Sequence, residues 1–402
     1  MTATEPTKTG EETQTDPYKP RKEDKFSFGL WTMGNRGHDG FGEATRRGFK
    51  PAYLLEKLAG LGAWGVNFQD DDLVASEAPL AERSRAARQF KQQVEDNGLV
   101  TPMGTTALFV KPVFKEGAFT AVDPGVRAFT LQKTLRAIDF AAEVGAPIFN
   151  LWGAREGVDA EGSKDPLEAL KRYREAIGFI CRYVEDQGYN IKFALEPKPN
   201  EPRSDSYLPT AGHALAFIAT LDQPDRVGVN LELAHETIAN LNFYHEVAQA
   251  LEAGKLFHID LNDQKVMRYD QNMRFGSESL KIAFFTVKLL EEKNYAGPRH
   301  FDVHPYRTEA EADVWDAALG SMRTYKILKE KAQRFAADPR IEAILGQNRR
   351  SDLPGDLLTA RYSPETARRL KDYRFDPDRL ARKGYRYEKL DQLTIEYILG
   401  IA

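Results

Sequence analysis

Five carboxylates and one imidazole stand through the middle of this chain in contexts suited to holding divalent cations. They are Glu196 in ALEPKPNEP, Glu232 and His235 in VNLELAHE, Asp260 in FHIDLND, Asp270 in YDQNMRFG and Asp302 in HFDVHP. Glu196, Glu232, Asp260 and Asp302 each end a short apolar run (IKFALE, RVGVNLE, KLFHID, RHFD) that reads as a buried strand. A carboxylate at the end of such a strand needs a partner, because an unpaired buried charge is too costly to persist. Too few Lys and Arg are interleaved with these residues to neutralise them, which leaves cations as the counter-charge. Oxygen donors with a single imidazole favour Mg, Mn or Co(II) over a structural zinc site. The sole cysteine, Cys181, lies in the apolar run AIGFICRYV and reads as a packed thiol rather than a nucleophile.

The elements that must position these residues alternate in type. Short apolar runs (KFSFGLW, WGVNF, LVTPMGTT, PIFNLW, NIKFALE, RVGVNLE, KLFHIDL, RHFDV) are separated by longer amphipathic ones, four of which end in Gly62, Gly98, Gly145 or Gly188. Eight strands alternating with eight helices predict an α/β chain folded as a parallel (β/α)8 TIM barrel, with the acidic residues on the C-terminal strand ends where such barrels carry chemistry. Residues 1–24 are polar and Pro/Thr-rich and read as a flexible N-terminal tail, and residues 25–335 as the barrel. Residues 336–402 are Arg-rich, interrupted by Pro and without strand signal. Their apolar positions are too sparse for an independent core, which predicts a helical arm that makes oligomer contacts.

Composition limits the partners. With 56 basic and 60 acidic residues and a net charge of -4, the chain has no general attraction for nucleic acid or an anionic membrane, so a small solute is the expected partner. No segment supplies the apolar run of a secretion signal or a membrane span, and a cytoplasmic location is expected.

The motifs FGLWTMG, TTALF, EPKPNEPR, LPTAGHALAFI, GKLFHIDLN, YDQNMRFG and GPRHFD together resemble the xylose isomerases of the shorter, actinobacterial type, from about Phe26 to the C-terminus. The resemblance implies a metal-dependent aldose–ketose isomerase, working by hydride shift as in D-xylose/D-xylulose interconversion, and a homotetramer whose C-terminal arm embraces a neighbour. It implies two divalent cations per subunit: the first on Glu196, Glu232, Asp260 and Asp302, the second on Glu232, His235, Asp270 and the residue at 272, here Asn272. Lys198 would meet the carbonyl end of the sugar. Trp31, Phe109 and Trp152 would wall the pocket, Thr105 and Asn150 would also bind the substrate, and Phe41 would come from the adjacent subunit. The chemistry is coherent, since moving a hydride between adjacent carbons requires the carbonyl and the neighbouring hydroxyl to be polarised together.

Four positions depart from the family's pattern. Gln69 stands where the family has a His that assists ring opening, although its partner Asp72 in DDDL is kept. An amide shuttles no proton, and general acid–base help is typically worth about 10²–10⁴-fold. Asn272 replaces an Asp, which should weaken the second cation, and His304 replaces a Lys on the same strand face as Asp302. Asn150 replaces a small apolar residue near the far end of the sugar and adds a hydrogen-bonding group. These changes predict altered substrate preference or low activity on xylose, with Gln69, Asp72, Lys198 and His304 as the catalytic candidates. Two alternatives stay open: a metal-dependent epimerase or lyase on a modified sugar with His304 as base, and a sugar-binding paralogue without turnover. His258 reads as structural, and His38, His213, His245 and His300 carry no ligand spacing.

Overall fold

The computed structural model describes residues 16–358 and 361–402. Eight parallel strands form a closed barrel: β1 (Phe26–Gly29), β2 (Gly65–Gln69), β3 (Met103–Thr105), β4 (Ile148–Trp152), β5 (Lys192–Glu196), β6 (Val227–Glu232), β7 (Leu256–Asp260) and β8 (Arg299–Phe301). Each strand pairs with its neighbours in chain order. The ring closes where β1 meets β8, in the register Phe26 with Arg299, Ser27 with His300 and Phe28 with Phe301. The strands are apolar nearly throughout because helices cover one face and the barrel interior the other; every residue of β6 is buried.

The helices form for ordinary local reasons. In Pro166–Asp186, Asp165 accepts the Leu167 N–H at the N-cap, and Ala169, Tyr173, Ala176, Ile177, Ile180, Cys181 and Val184 form the buried stripe at helical spacing. Burial pushes the Cys181 thiol up to about 12, consistent with a packed, unreactive group. Gly62 and Gly145 adopt φ of 96° and 94° at their helix C-caps, and a Cβ at Gly62 would lie 2.5 Å from the Pro20 carbonyl oxygen. At Gly98 and Gly188 the left-handed residue falls one position later, after Asn97 and Gln187.

The structure adds short elements to the expected alternation, among them a helix at Leu30–Met33 directly after β1. A short helix, Leu233–Ile238, follows β6 at once and carries His235, and a small ribbon pairs Gly157–Val158 with Asp205–Ser206. Of the expected tail, residues 1–15 lie outside the described residues. Residues 16–24 are tied to the barrel, with Asp24 pairing to Lys326 at 2.8 Å and Lys22 donating to the Gly98 carbonyl.

The chain divides into two compact units, Met1–Ile327 and Leu328–Ala402, a few residues earlier than the expected boundary at 336. Within the second unit the regular elements among the described residues are all helices. Asp338 anchors it by accepting the Arg340 N–H at 2.7 Å and the Tyr397 hydroxyl at 2.8 Å.

Candidate active site and cation centre

Gln69, Thr105, Trp152, Glu196, Glu232 and Asp260 are the last residues of β2 to β7, and Asp302 follows β8 directly, so parallel strands deliver them to one end of the barrel. Ligand atoms of Glu196, Glu232 and His235 lie within 4.8 Å of one another, and so do those of Glu232, Asp260 and Asp302. Glu232 thus belongs to both sets. Asp270 reaches the group through Oδ2, 3.3 Å from His235 Nε2, while its Oδ1 is buried without a hydrogen-bond partner. Asn272 sits beside them with φ of 47°, a conformation Asn tolerates better than most residues, and its Oδ1 accepts from Asn262 Nδ2 at 2.7 Å.

The electrostatics call for added positive charge. Burial and then Asp260 push the Glu196 carboxyl well above the usual carboxylate range; burial and then Asp270 do the same at Glu232. Asp302 is raised by burial and by Asp260. Burial also opposes ionisation at Asp260 and Asp270, but His300 and His258 hold the first below its ordinary value, and Lys198 and His235 the second. Crowded, mostly oxygen donors of this kind, one of them an orphaned carboxylate oxygen, fit divalent cations that replace protons as counter-charge.

Four residues outside the expected ligand set hold the carboxylates in place. Asn230 donates to Asp260 Oδ2 at 2.7 Å and Glu196 Oε2 at 3.1 Å, and its own oxygen lies 3.1 Å from His258 Nδ1. Asn262 donates to Glu232 Oε1 at 2.6 Å and accepts the Ala234 N–H at 2.9 Å. His300 Nδ1 lies 2.6 Å from Asp260 Oδ1, and His258 Nδ1 lies 3.1 Å from the same oxygen. These two imidazoles and Asp260 also have ligand atoms within 4.8 Å of one another, and both Nε2 atoms are buried without a hydrogen-bond partner. His258, expected to be structural, and His300, which sequence spacing passed over, thus both contact Asp260 Oδ1. The available signal was position: Asn230, His258 and His300 each stand two residues before Glu232, Asp260 and Asp302, on the same strand face.

The residues expected to wall a pocket lie around this group. Trp31 Nε1 donates to Asp302 Oδ1 at 2.8 Å. The Trp152 ring meets Phe109 edge-on at 4.7 Å and stacks on His235 at 6.2 Å. Lys198 Nζ lies 5.0 Å from the Trp152 ring centre and donates to Asp270 Oδ2 at 2.7 Å. Asn150 is buried in β4, with its side-chain Nδ2 donating to Glu196 Oε2, its Oδ1 without a partner, and its backbone carbonyl accepting from Thr105 Oγ1 at 2.9 Å.

At the end of β2, Gln69 is half-buried and its backbone N–H donates to Asp72 Oδ2 at 3.0 Å. The turn beneath them is fixed by Lys133, a buried lysine that sequence reading did not single out, which contacts Asp70 at 2.8 Å and Asp71 at 3.0 Å. Burial alternates from Phe301 to Pro305, leaving Asp302 and His304 on the less buried side, and the His304 N–H donates to the Asn272 carbonyl at 2.7 Å. Phe41 is fully exposed and walls nothing within its own chain. A cavity of about 610 Å³ at the opposite end of the barrel, lined by Trp64, Pro102, Ile148 and Phe257 among others, contains none of the site residues.

No helix among the described residues is long and apolar enough to cross a membrane. A family model described as xylose isomerase-like TIM barrel matches residues 55–325. The chain is 52% identical over 384 residues to the xylose isomerase of Thermus thermophilus, covering 96% of this chain and 99% of that protein. It is 50% identical over 384 residues to that of Thermus caldophilus, with the same coverage. Among solved structures, the apo form of an Escherichia coli 3-keto-D-glucoside 4-epimerase aligns with a TM-score of 0.54 at 15% identity, covering 75% of this chain and 99% of that one, a likeness of fold alone. A barrel whose strand ends carry this donor set, with full-length relatives at this level of identity, belongs to the xylose isomerase-like TIM barrel family.

Proposed function

We propose that this protein is a metal-dependent aldose–ketose isomerase of the xylose isomerase kind, acting by hydride shift between adjacent sugar carbons. The observation that carries the reading is Glu232, shared between two sets of ligand atoms that each close within 4.8 Å. That arrangement suits a pair of cations addressing two neighbouring oxygens. The first cation is assigned to Glu196, Glu232, Asp260 and Asp302, the second to Glu232, His235 and Asp270 with Asn272 at its edge, and Mg, Mn or Co fits the donors. Bound there, such ions supply Lewis acidity toward the carbonyl and hydroxyl oxygens.

The protein's own residues do the rest. Lys198 presents an ammonium to the carbonyl end of the sugar, and burial notwithstanding, Asp270 keeps it charged by raising its pKa. Trp31, Trp152 and Phe109 give the sugar's C–H face an apolar wall and keep water from the transferring hydrogen. Thr105, whose hydroxyl bonds the Asn150 backbone carbonyl, and the Asn150 side chain stand at the far end. Gln69 and Asp72 stand where ring opening is assisted, but Gln69 offers only a hydrogen bond, which supports a preference for a substrate other than free xylopyranose. The reading includes a cytoplasmic homotetramer whose C-terminal helices contact neighbours and whose exposed Phe41 closes an adjacent pocket. A gel-filtration mass of one chain refutes the tetramer.

A second reading keeps the cations but moves a proton, with His304, on the same side as Asp302, as the base of an epimerase or lyase. An NMR time course in D₂O separates the two, using metal-stripped protein restored with Mg, Mn or Co and a panel of sugars that includes xylose and glucose. Aldose–ketose conversion without carbon-bound deuterium is the expected result. Deuterium at carbon assigns the proton-transfer reading, and ligand-induced thermal stabilisation without any product assigns a binding role.

A further inference from the structure

We propose that Asn150 is a positioning residue for Glu196: its amide decides which carboxylate oxygen is left for the cations and so sets affinity at the first site. The inference rests on the cation-centre reading above. Resemblance to the family puts a small apolar side chain at this place, so the contact is a feature of this chain. It follows from the register. Asn150 in β4 pairs with Ala194 in β5, and Trp152 pairs with Glu196. Ala194 leaves room for the amide to reach past it to the carboxylate one level higher.

Two side-chain amides, from Asn150 and Asn230, both donate to Glu196 Oε2. Oε1 of the same carboxylate faces His235 Nδ1 at 3.5 Å, toward the shared donor set. Asn230 is not a dedicated partner, because its Nδ2 lies closer to Asp260 Oδ2, at 2.7 Å against 3.1 Å. Asn150 is 4% exposed and its Oδ1 is buried without a hydrogen-bond partner, so packing and the bond to Glu196 set its rotamer, while Thr105 Oγ1 bonds only the backbone carbonyl. A carboxylate whose one oxygen carries two neutral donors keeps a single orientation and offers the other oxygen. Loss of such outer partners typically costs about 10–100-fold in metal affinity.

The test titrates metal-stripped full-length protein with Mn(II) by calorimetry and records the visible spectrum of the Co(II)-loaded protein. It compares the unaltered chain with Asn150→Leu, which keeps bulk without a donor, and Asn150→Ala, which removes the donor without adding bulk or charge. In both variants the first-cation Kd rises at least about tenfold and the cobalt bands shift. If only one variant folds, that one decides. A Kd within twofold of the unaltered protein and an unchanged cobalt spectrum overturns the proposal. So does a variant with a lowered apo melting point but ordinary cobalt bands, which is the signature of a purely structural residue. If the unaltered chain binds neither Mn nor Co, the cation-centre reading itself fails, an outcome distinct from insensitivity to Asn150.

Discussion

Lys198 Nζ donates to Asp270 Oδ2 at 2.7 Å, so the ammonium assigned to the sugar's carbonyl rests on a carboxylate assigned to the second cation. The two roles compete for one charge. Replacing Lys198 by Met removes both the substrate contact and a positive charge beside the second site. Turnover on the preferred sugar is expected to fall by about 10²-fold or more. Mn(II) affinity at the second site is expected to rise, because Asp270 then has one cation fewer to share. Steady-state kinetics and Mn(II) titration of the same variant check the two opposed effects. Parallel losses in both contradict the assignment.

The pH dependence of the metal-free protein has a defined sign. Glu196, Glu232 and Asp302 are raised in the folded state, so that state binds more protons than the unfolded chain above the ordinary carboxylate value of about 4. Their contribution to stability is complete below that value and is lost as pH rises through the raised values. Asp260 and Asp270 are depressed and act oppositely, contributing above the ordinary value and losing it only as pH falls through their lowered ones. Melting curves with chelator should therefore drop as pH rises above the ordinary carboxylate value, and added Mn(II) should restore more at the higher pH. A metal-induced shift that does not grow with pH contradicts this account.

Restoring the family's residues tests the two departures nearest the chemistry. Gln69 is half-buried beside Asp72, which already accepts its backbone N–H, so an imidazole at position 69 would arrive next to an oriented carboxylate. A Gln69→His, Asn272→Asp double substitution is expected to raise kcat/KM on D-xylose by about 10²-fold. No gain would place the cause at His304 or Asn150 instead.

Lys133 is the counter-charge to Asp70 and Asp71 under that same turn, with 1% of its side chain exposed. Lys133→Met leaves a buried carboxylate unpaired and should cost about 3–5 kcal/mol, read by urea denaturation. Adding Asp70→Asn to it should recover part of the loss. A single-variant cost below about 1 kcal/mol would show that water reaches Asp70 freely.

What the sequence by itself determined is the barrel and the strand ends that carry the clustered carboxylates. Eight apolar runs bounded by turns specify strands locally, and glycines such as Gly62 and Gly145 end helices locally, so alternation is written along the chain. A carboxylate closing an apolar run is likewise a one-dimensional signal, and each such residue lies at the site. Only the tertiary structure decided what holds those carboxylates. Asn150 and Glu196 are 46 residues apart, His300 and Asp260 are 40 apart, and Lys133 and Asp70 are 63 apart. Each pair meets because strand register and helix packing bring it together, and nothing in either residue's neighbourhood announces the other. The sequence shows which groups need partners, since buried charge is costly wherever it sits. Barrel closure and register choose the partners.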